Sequence, residues 1–411
     1  MTAGGAGHSS RRAASPAARS ERLAQHEPDP GIPLRVTTIE LFFDLVFAFT
    51  LTQLTELLDE DASLTGAAQV LLVFALIWWM YAGYAWLTNA RPPVTAAERL
   101  PLLIGMGGLL IAGLAIPEGF GSSGAVLGLG YLVVVLVHAY LYRQVNRNII
   151  RIAPFSIASA LLVIAAGLVS RHHGAPRPVV YVLWIIAVAV QLGSPLVVTP
   201  RGRFGLHPAH IVERHTALVI VALGESVAAV GIGAGHLASE PGGMSVRLVV
   251  VTLLGLALCA ALWWALFGGG EDERAERALA AADRTRRTGV VLNAYFYAYT
   301  PLLLGIVAVA AGLEQAIARA ADPPAAEPAG AAVLLAVGTF GVLAGDTAFR
   351  RLLGLGHGLV RPAAAAAALA TIPAGLYAGL PAQLALLAAV LIVMLVTEQR
   401  ARRAPPAGAA G

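Results

Sequence analysis

The chain has 411 residues, is 57% hydrophobic and is only 13% charged, which is far more apolar than a soluble protein. Its formal net charge is +4, but its basic residues are dispersed through short segments, so no basic nucleic-acid-binding domain is indicated. The one cysteine, Cys259, excludes intrachain disulfides and cysteine-based metal sites. The composition therefore predicts an integral membrane protein.

Apolar stretches long enough to cross a bilayer occur twelve times. A membrane-spanning helix needs about 20 apolar residues at a rise of about 1.5 Å each. The candidates cover residues 37–58, 66–88, 100–117, 122–142, 150–170, 178–198, 211–235, 247–268, 289–312, 330–349, 360–379 and 381–398. Lipid offers no partner to free backbone groups, so these spans predict an all-α polytopic membrane helix bundle of about 12 transmembrane helices.

The arginines predict how the bundle is oriented. Short cytoplasmic loops of membrane proteins collect basic residues. With both termini cytoplasmic, the inner loops contain 24 arginines and the outer loops four, namely Arg171, Arg177, Arg247 and Arg319. We therefore predict a multi-pass protein of the bacterial cytoplasmic (inner) membrane with cytoplasmic N- and C-termini.

Two six-helix repeats are predicted within the chain. Adding 185 to the positions of Trp78-Trp79 and Glu98-Arg99 gives Trp263-Trp264 and Asp283-Arg284. We predict a first repeat over residues 36–200 and a second over 201–398, parallel to each other and related by an axis along the membrane normal. Segment 1–35 is predicted to be a disordered cytoplasmic tail without the apolar run typical of a signal peptide, and segment 399–411 is predicted to be a short cytoplasmic tail.

The first span contains acids inside a segment suited to hydrocarbon. Glu40 and Asp44 are one turn apart and share a helix face, and Gln53 follows deeper in the span. Charge at this depth is costly unless it is paired or hydrated. For Glu40 the open alternatives are a helix-start acid or an ion-pathway residue. For Asp44 they are an ion pair with Arg99, Arg214 or His138, or an ion or proton site.

The seventh span has a second group of polar residues. Glu213, Arg214 and His215 stand at its cytoplasmic mouth, and Glu225 and Ser226 lie close to its centre. A central carboxylate must be protonated or compensated by a cation. His207 and His210 are interpreted as interfacial histidines, because Pro208 interrupts the spacing that a metal site would need.

Further polar residues within the spans are interpreted as interhelical hydrogen-bonding groups that could line an inner vestibule. These supporting residues are Arg99, His138, His215, Asn293 and Asp346. The tryptophan pairs are interpreted as belts at the membrane interface. Glycines 224, 231, 233 and 235 are expected to allow helices to approach closely.

No signature of a soluble enzyme is present in the sequence. The chain has no H-E-x-x-H, G-x-S-x-G or G-x-x-x-x-G-K motif and no dinucleotide-binding turn. We therefore expect no cofactor and no metal ion. An enzymatic activity is less expected than transport.

The strings "IELFFDLVFAFTLTQL" and "ERHTALVIVALGESVAAVG" resemble the bacterial low temperature requirement A family, over about Thr37 to Arg400. The resemblance implies a polytopic inner-membrane protein. Phe43-Asp44 and the residues after it are also distantly similar to the first helix of the two-repeat potassium and proton channels related to transmembrane protein 175. Phe42-Phe43-Asp44 replaces the Phe-Ser-Asp string of those channels, and Ala217 stands where a second acid would align.

Two classes of function stay open from the sequence. The first is a channel or secondary transporter for an ion or small solute, with a pathway formed by Glu40, Asp44, Gln53, Glu213, Arg214, Glu225 and Ser226. The second is a non-transporting membrane factor, either a lipid-modifying enzyme or an envelope scaffold needed for growth in the cold. The expected partners are the lipid bilayer and an ion or small solute. A second copy of the chain, in a homo-oligomer, is a further candidate partner, and no nucleic acid is expected.

Overall fold

The computed structural model describes residues 35–145, 149–172, 176–197, 206–239, 243–321, 329–356 and 358–403. These residues form helices and connecting turns, without a β-strand among them. The helices are α1 (Thr38–Glu60), α2 (Leu64–Ala90), α3 (Ala96–Leu114), α4 (Gly124–Tyr142), α5 (Ile149–Ser170), α6 (Arg177–Val197), α7 (Pro208–Ser239), α8 (Val246–Phe267), α9 (Glu271–Ala281), α10 (Arg284–Leu292), α11 (Tyr299–Ala321), α12 (Ala329–Leu352), α13 (Val360–Leu369), α14 (Ile372–Tyr377) and α15 (Leu380–Arg403). A five-residue π-helix, Asn293–Tyr297, joins α10 to α11. The predicted all-α membrane bundle is confirmed.

Eleven helical segments in the described ranges are long and apolar enough to cross a membrane. The predicted span at 360–379 differs, because it is divided into α13 and α14 at Ala370 and Thr371. The segment 360–379 still extends from one end of the bundle to the other, as its contacts with α12 show. Arg361 at the start of α13 contacts Asp346 near the end of α12, whereas Gly375 in α14 lies against Ala332 near the start of α12. The broken pair therefore runs the length of the bundle beside the eleven apolar segments, and its role as a twelfth span stays a prediction.

We call the end of the bundle where α1 begins the near end, and the opposite end the far end. Arg402 at the end of α15 lies 3.3 Å from Glu271, and the neighbouring Asp272 accepts a hydrogen bond from Thr216 near the start of α7. The helix α15 therefore ends where α1 and α7 begin. Most of the two predicted tails, residues 1–34 and 404–411, lies outside the described residues. Residues 399–403 continue α15 as helix.

Helix starts follow local sequence signals. Thr37 and Glu40 form a capping box at the start of α1, and Thr95 and Glu98 form another at the start of α3. In a capping box the Glu side chain accepts from the cap residue's backbone N–H, which satisfies a donor that the helix itself leaves free. These boxes fix where both helices begin at the near end.

Three helices occupy the centre of the bundle. The helices α1, α7 and α11 pack against one another, while α3 to α6 pack in sequence along one side and α12 covers α11. The span that includes α11 is the most buried one, with 78% of its apolar window inside the protein. Polar side chains on α1 and α7 are therefore held within the bundle, away from lipid. The division into two equivalent repeats stays a prediction.

The helices α11 and α12 approach each other through glycines. A Cβ atom on Gly338 would lie 2.7 Å from the backbone nitrogen of Val309 and 2.8 Å from the carbonyl oxygen of Gly305. Gly305 is blocked in the same way by the backbone of α12. This is the close approach that small residues permit in membrane bundles. Glycines 224, 231 and 235, which were expected to have this role, face open space instead.

A methyl group at position 338 is expected to force α11 and α12 apart. We expect Gly338→Ala to lower the free energy of unfolding by about 1–3 kcal/mol, the usual cost of overpacking. The measurement is thermal unfolding of the purified protein in detergent. Gly107→Ala is the matched control, because Gly107 is helical and has open space around its Cβ position. Equal shifts in both variants would contradict the packing argument.

Candidate functional site: a buried ion cluster between two cavities

A buried ion pair joins the two parallel central helices α1 and α7. The Arg214 Nη2 atom donates to Asp44 Oδ1 at 2.8 Å, and Arg214 Nε donates to the same oxygen at 3.0 Å. The whole Arg214 residue is 1% exposed and Asp44 is 1% exposed. A guanidinium fits a carboxylate in this two-pronged geometry, which compensates part of the large cost of removing both charges from water.

Glu40 forms the second acid of the same cluster, one turn below Asp44. Its Oε1 atom lies 2.9 Å from His210 Nε2 and 3.6 Å from Arg214 Nη1. Its Oε2 atom accepts from the Thr37 backbone N–H at 2.9 Å and from the Thr37 hydroxyl at 2.7 Å. Glu40 is therefore a helix-start acid that is also buried in a polar group, and its role in an ion pathway stays a prediction.

The sequence spacing explains why these groups meet. Glu40 and Asp44 are four residues apart on α1, and His210 and Arg214 are four residues apart on α7. Each contact joins residues 170 positions apart, so the two pairs match turn for turn on parallel helices. We call Glu40, Asp44, His210 and Arg214 the ion cluster.

The helix α2 closes the ion cluster. The Thr88 hydroxyl accepts from Arg214 Nη1 at 2.5 Å, and the rings of Phe43 and Tyr81 lie 5.6 and 5.3 Å from the guanidinium carbon. Guanidinium groups are attracted to aromatic faces, and this attraction strengthens when water is excluded. The side chain of Arg214 is thus held by an acid, a hydroxyl and two aromatic rings.

Asn89 at the end of α2 connects the cluster to the start of α7. Its Nδ2 atom donates to the His207 carbonyl at 3.0 Å, and its Oδ1 atom accepts from the His207 backbone N–H at 3.1 Å. The same Nδ2 atom lies 3.2 Å from His210 Nδ1. Burial lowers the pKa of His207, which lies just outside the span.

An aromatic layer lies on the far side of the ion cluster. Trp78 is stacked on Tyr81 and on Phe296, with ring centroids 5.2 and 5.8 Å apart, and His215 packs edge-on against Tyr295 at 4.9 Å. The Trp78 indole N–H donates to the Phe296 carbonyl in the π-helix at 3.2 Å. A π-helix turn leaves some of its backbone carbonyls without a regular hydrogen bond inside the helix, and such turns occur frequently at functional sites.

A cleft enters the bundle from the far end and stops above the aromatic layer. Its outer part has a volume of about 220 Å³ and is lined by His236 and Glu314. Its inner part narrows to about 20 Å³ and is lined by Thr52, Glu225, Ser226 and Glu314. The inner volume is about what one water molecule needs. Most of the other lining residues are apolar, so Glu225 is one of a few polar groups in this cleft; it is half-buried and is not part of the ion cluster.

A smaller cavity enters from the near end and reaches the ion cluster from the opposite side. It has a volume of about 20 Å³, and its lining includes Thr88, Arg91 and Gln144. Thr88 is the residue whose hydroxyl contacts Arg214. The ion cluster and the aromatic layer therefore separate two cavities that open toward opposite ends of the bundle.

A second ionic network lies at the near end, around α9. Gly270, with a left-handed φ of 66°, turns the chain from α8 into α9. The Oε1 atom of Glu271 then contacts Arg274 at 2.5 Å, Arg402 at 3.3 Å and Arg350 of α12. Asp346 joins the network through Arg350 and Arg361, and Arg361 also contacts Glu398 at 2.8 Å. This network binds α9 to α12, α13 and α15.

The structure brings together only part of the predicted site. Glu40, Asp44 and Arg214 meet in the ion cluster, and Arg214 is the partner of Asp44 among the three that the sequence left open. Glu225 and Ser226 line the cleft. Gln53 is half-buried on α1, and Glu213 accepts from the Val36 backbone N–H at 3.3 Å, beside the cluster.

The supporting residues do not converge on one vestibule. Arg99 donates to the Pro93 carbonyl at 3.0 Å, and His138 packs between Tyr84 and Tyr142. Asn293 is exposed in the π-helix, and Asp346 belongs to the network around α9. His215 lies in the aromatic layer.

Two interpretations of individual residues are wrong. Trp78 was assigned to an interfacial belt, but it is 1% exposed and lies in the core because the π-helix covers it. Trp263 and Trp264 are 46% and 51% exposed, as a lipid-facing belt requires. His210 was interpreted as interfacial, but it is fully buried against Glu40.

The sequence interpretation missed four residues that shape the site: Thr88, Asn89, Glu314 and Tyr295. The spacing of four between His210 and Arg214, matched to the same spacing on α1, was an available signal for the cluster. Thr88 and Asn89 gave no comparable signal, since only the packing of α2 on α7 shows their roles.

The region that contains these residues is similar in sequence to known proteins. The family sequence profile described as bacterial low temperature requirement A protein (LtrA) matches residues 35–397. The chain belongs to this family. A curated relative, an uncharacterized protein of Rhizobium meliloti (strain 1021), is 27% identical over 299 residues, which cover 68% of this chain and 69% of the relative. The matched region of the LtrA profile contains the ion cluster and the residues that line both cavities.

Proposed function

We propose that this LtrA-family chain is a secondary transporter that moves a small cation across the bacterial cytoplasmic membrane, with α1 and α7 forming the pathway. The observation that carries the proposal is the position of the ion cluster. It lies between a cleft from the far end, which shares α1 and α7 with the cluster, and a cavity from the near end, which meets the cluster at Thr88 of α2.

The closed layer favours a transporter over an open channel. A channel needs a continuous hydrated path, whereas a transporter exposes a central region to each side in turn. The cleft stops at Leu51 and Ala222, which are 4% and 3% exposed, and the stacked aromatic rings lie beneath them. Exchange between the two cavities then requires α1 and α7 to move relative to each other.

The lining of the cleft favours a cation. Glu225 and Glu314 line its narrow part together with the hydroxyl-bearing residues Thr52, Thr55 and Ser226. Carboxylate and hydroxyl oxygens attract small cations and repel anions. In the proposed orientation, the far end is outside the cell and the near end, with most of the arginines, is cytoplasmic.

Replacing Glu225 by Gln is expected to remove transport without unfolding the protein. The measurement is the transient current of proteoliposomes on a solid-supported membrane after concentration jumps of Na⁺, K⁺ or H⁺. We expect a current in the wild type, its loss in Glu225→Gln, and monodisperse protein in both. Glu118→Gln is the control, because Glu118 is an exposed acid in the loop that follows α3.

The outcomes separate the possibilities. Currents from wild-type liposomes that equal those of empty liposomes would contradict cation transport. Currents that persist unchanged in Glu225→Gln would remove the cleft from the pathway.

A further inference from the structure

The ion cluster has an unbalanced charge that can be derived from its hydrogen bonds. The double contact with the backbone of His207 fixes the side-chain amide of Asn89, since the His207 N–H must meet the amide oxygen and the His207 carbonyl must meet the amide nitrogen. The nitrogen of Asn89 therefore faces His210 Nδ1 as a donor. His210 Nδ1 is then an acceptor, because two N–H groups cannot bond each other.

It follows that His210 is neutral. Its one ring proton is on Nε2 and is donated to Glu40 Oε1 at 2.9 Å. A second proton on Nδ1 would face the N–H of Asn89, and turning the Asn89 amide would break both bonds to His207. The histidine that lies nearest to Glu40 therefore supplies no positive charge.

The charges of the cluster then do not cancel. Arg214 contributes one positive charge, while Glu40 and Asp44 contribute two negative charges when both are ionised. The other titratable or charged groups that face the cluster from described elements are Tyr81, Tyr84, His207, Glu213 and His215, with Tyr295 and Tyr299 behind His215. A second positive charge on His215 is opposed by its neighbour Arg214, and Nδ1 of His215 contacts the Ile211 carbonyl at 2.9 Å within its own helix.

One net negative charge buried at 0–1% exposure is a strong attractor for a cation. The contacts leave no space for a metal ion with its usual six oxygen ligands, but they do leave room for a proton. Glu40 already accepts bonds at both of its oxygens. Asp44 Oδ2 shares the Arg214 Nε donor with Oδ1 and lies at the longer distance from it, 3.2 Å against 3.0 Å. Asp44 Oδ2 is therefore the oxygen best placed to bind the proton.

We propose that the ion cluster binds one exchangeable proton on Asp44 and that transport is coupled to this proton. This proposal extends the proposed transport function. The coupling of the proton to transport rests on that function, whereas the binding of the proton to Asp44 does not. When an O–H bond forms on Asp44, the side chain becomes neutral and its attraction for Arg214 weakens. Arg214 Nη1, 3.6 Å from Glu40 Oε1, then pairs with the remaining carboxylate.

This change of partner links proton binding to helix movement. In the ionised state Arg214 binds Asp44, which holds α7 against α1 one turn inside the span. In the protonated state the ion pair moves to Glu40 at the start of α1, which frees the segment of α1 beneath the aromatic layer. The proton exchanges with the near end through the near-end cavity, because Thr88 lines that cavity and its hydroxyl contacts Arg214, and it exchanges with the far end after α1 and α7 have moved.

The first experiment measures the proton itself and does not depend on transport. Infrared difference spectra of the purified full-length protein in detergent, recorded over a pH series, detect the C=O band of a protonated buried carboxyl group. We expect one such band to rise as the pH falls, to be lost in Asp44→Asn and to be retained in Glu118→Gln. A wild-type protein without a titrating carboxyl band would overturn the proposal, even if every variant misfolded.

Two variants test the assignment. The triple variant Glu40→Gln/Asp44→Asn/Arg214→Gln removes every charge of the cluster, so it remains informative if Asp44→Asn alone does not fold, and it too should lack the band. If the band persists in these variants, or if histidine bands titrate instead, the proton is not on Asp44 and the proposal is overturned.

The second experiment separates this proposal from the proposed function. Proteoliposomes containing a pH-sensitive dye report proton movement when a gradient of the transported cation is applied. A titrating Asp44 together with loss of cation-driven proton movement in Asp44→Asn supports both proposals. A titrating Asp44 in a protein that moves no ion supports the proton site and contradicts transport. Cation currents without proton movement support transport and overturn the coupling.

Discussion

Arg214→Gln is expected to lower the free energy of unfolding by about 3–5 kcal/mol, the range found when one partner of a buried ion pair is removed. The substitution leaves Asp44 and Glu40 as two carboxylates at 0–1% exposure with no cation between them. It also removes a donor to the Thr88 hydroxyl and the contacts with the rings of Phe43 and Tyr81. Thermal unfolding in detergent, followed by size-exclusion chromatography, measures the loss.

Two controls show whether the loss comes from the buried charge. Arg91→Gln removes an arginine of the near end whose side chain is 48% exposed, and it should change stability by less than about 1 kcal/mol. The double variant Asp44→Asn/Arg214→Gln should be more stable than Arg214→Gln alone, because it removes an uncompensated charge. A double variant that is less stable than the single one would show that packing, and not charge, determines the effect.

The sequence was sufficient for the fold because the bilayer imposes strong rules. Span length and the absence of alternation follow from lipid thickness and the cost of free backbone groups. The helices α1 to α8 match the predicted spans. The break at Ala370 and Thr371 was not predicted, since the alanine-rich segment 360–379 has the composition of one continuous span.

The site was harder to predict because its chemistry depends on which faces of the helices pack against each other. Periodicity placed Glu40 and Asp44 on one face of α1, but three cations remained possible partners for Asp44. Arg214 was counted as a loop arginine by the charge rule, yet it is 1% exposed inside the bundle. The rule records at which end of a helix an arginine lies, but it does not tell whether the side chain points to water or to a neighbouring helix.

The burial of some small and aromatic residues was also predicted incorrectly from the sequence. Trp78 and Trp263 have the same sequence context, but the first is buried beneath the π-helix and the second faces lipid. The glycines at 224, 231 and 235 look like packing residues, but they face open space, whereas Gly338 is blocked by the backbone of α11. The local sequence does not distinguish the buried residues from the exposed ones, because the burial of each residue depends on which helix packs against it.

Glu271→Gln is expected to weaken the attachment of α9 and to lower the free energy of unfolding by about 3 kcal/mol, since it breaks a buried ionic contact. One oxygen of Glu271 contacts Arg274, Arg350 and Arg402, and the residue is 5% exposed. Gln keeps an oxygen acceptor but loses the negative charge that holds three guanidinium groups together. Arg350, with a side chain 9% exposed, would then depend on Asp346 alone, which it shares with Arg361.

The position of α9 makes the effect local as well as global. Thr216, two residues beyond Arg214 on α7, donates to Asp272 of α9 at 3.0 Å, so α9 lies between the helix of the ion cluster and the ionic network. Hydrogen–deuterium exchange should therefore become faster in α9 and at the start of α7 in Glu271→Gln, before α3 to α6 are affected. Glu276→Gln is the matched control, because Glu276 is exposed on the same helix. Exchange that increases equally in all helices would show that Glu271 stabilises the bundle as a whole, with no specific link between α9 and α7.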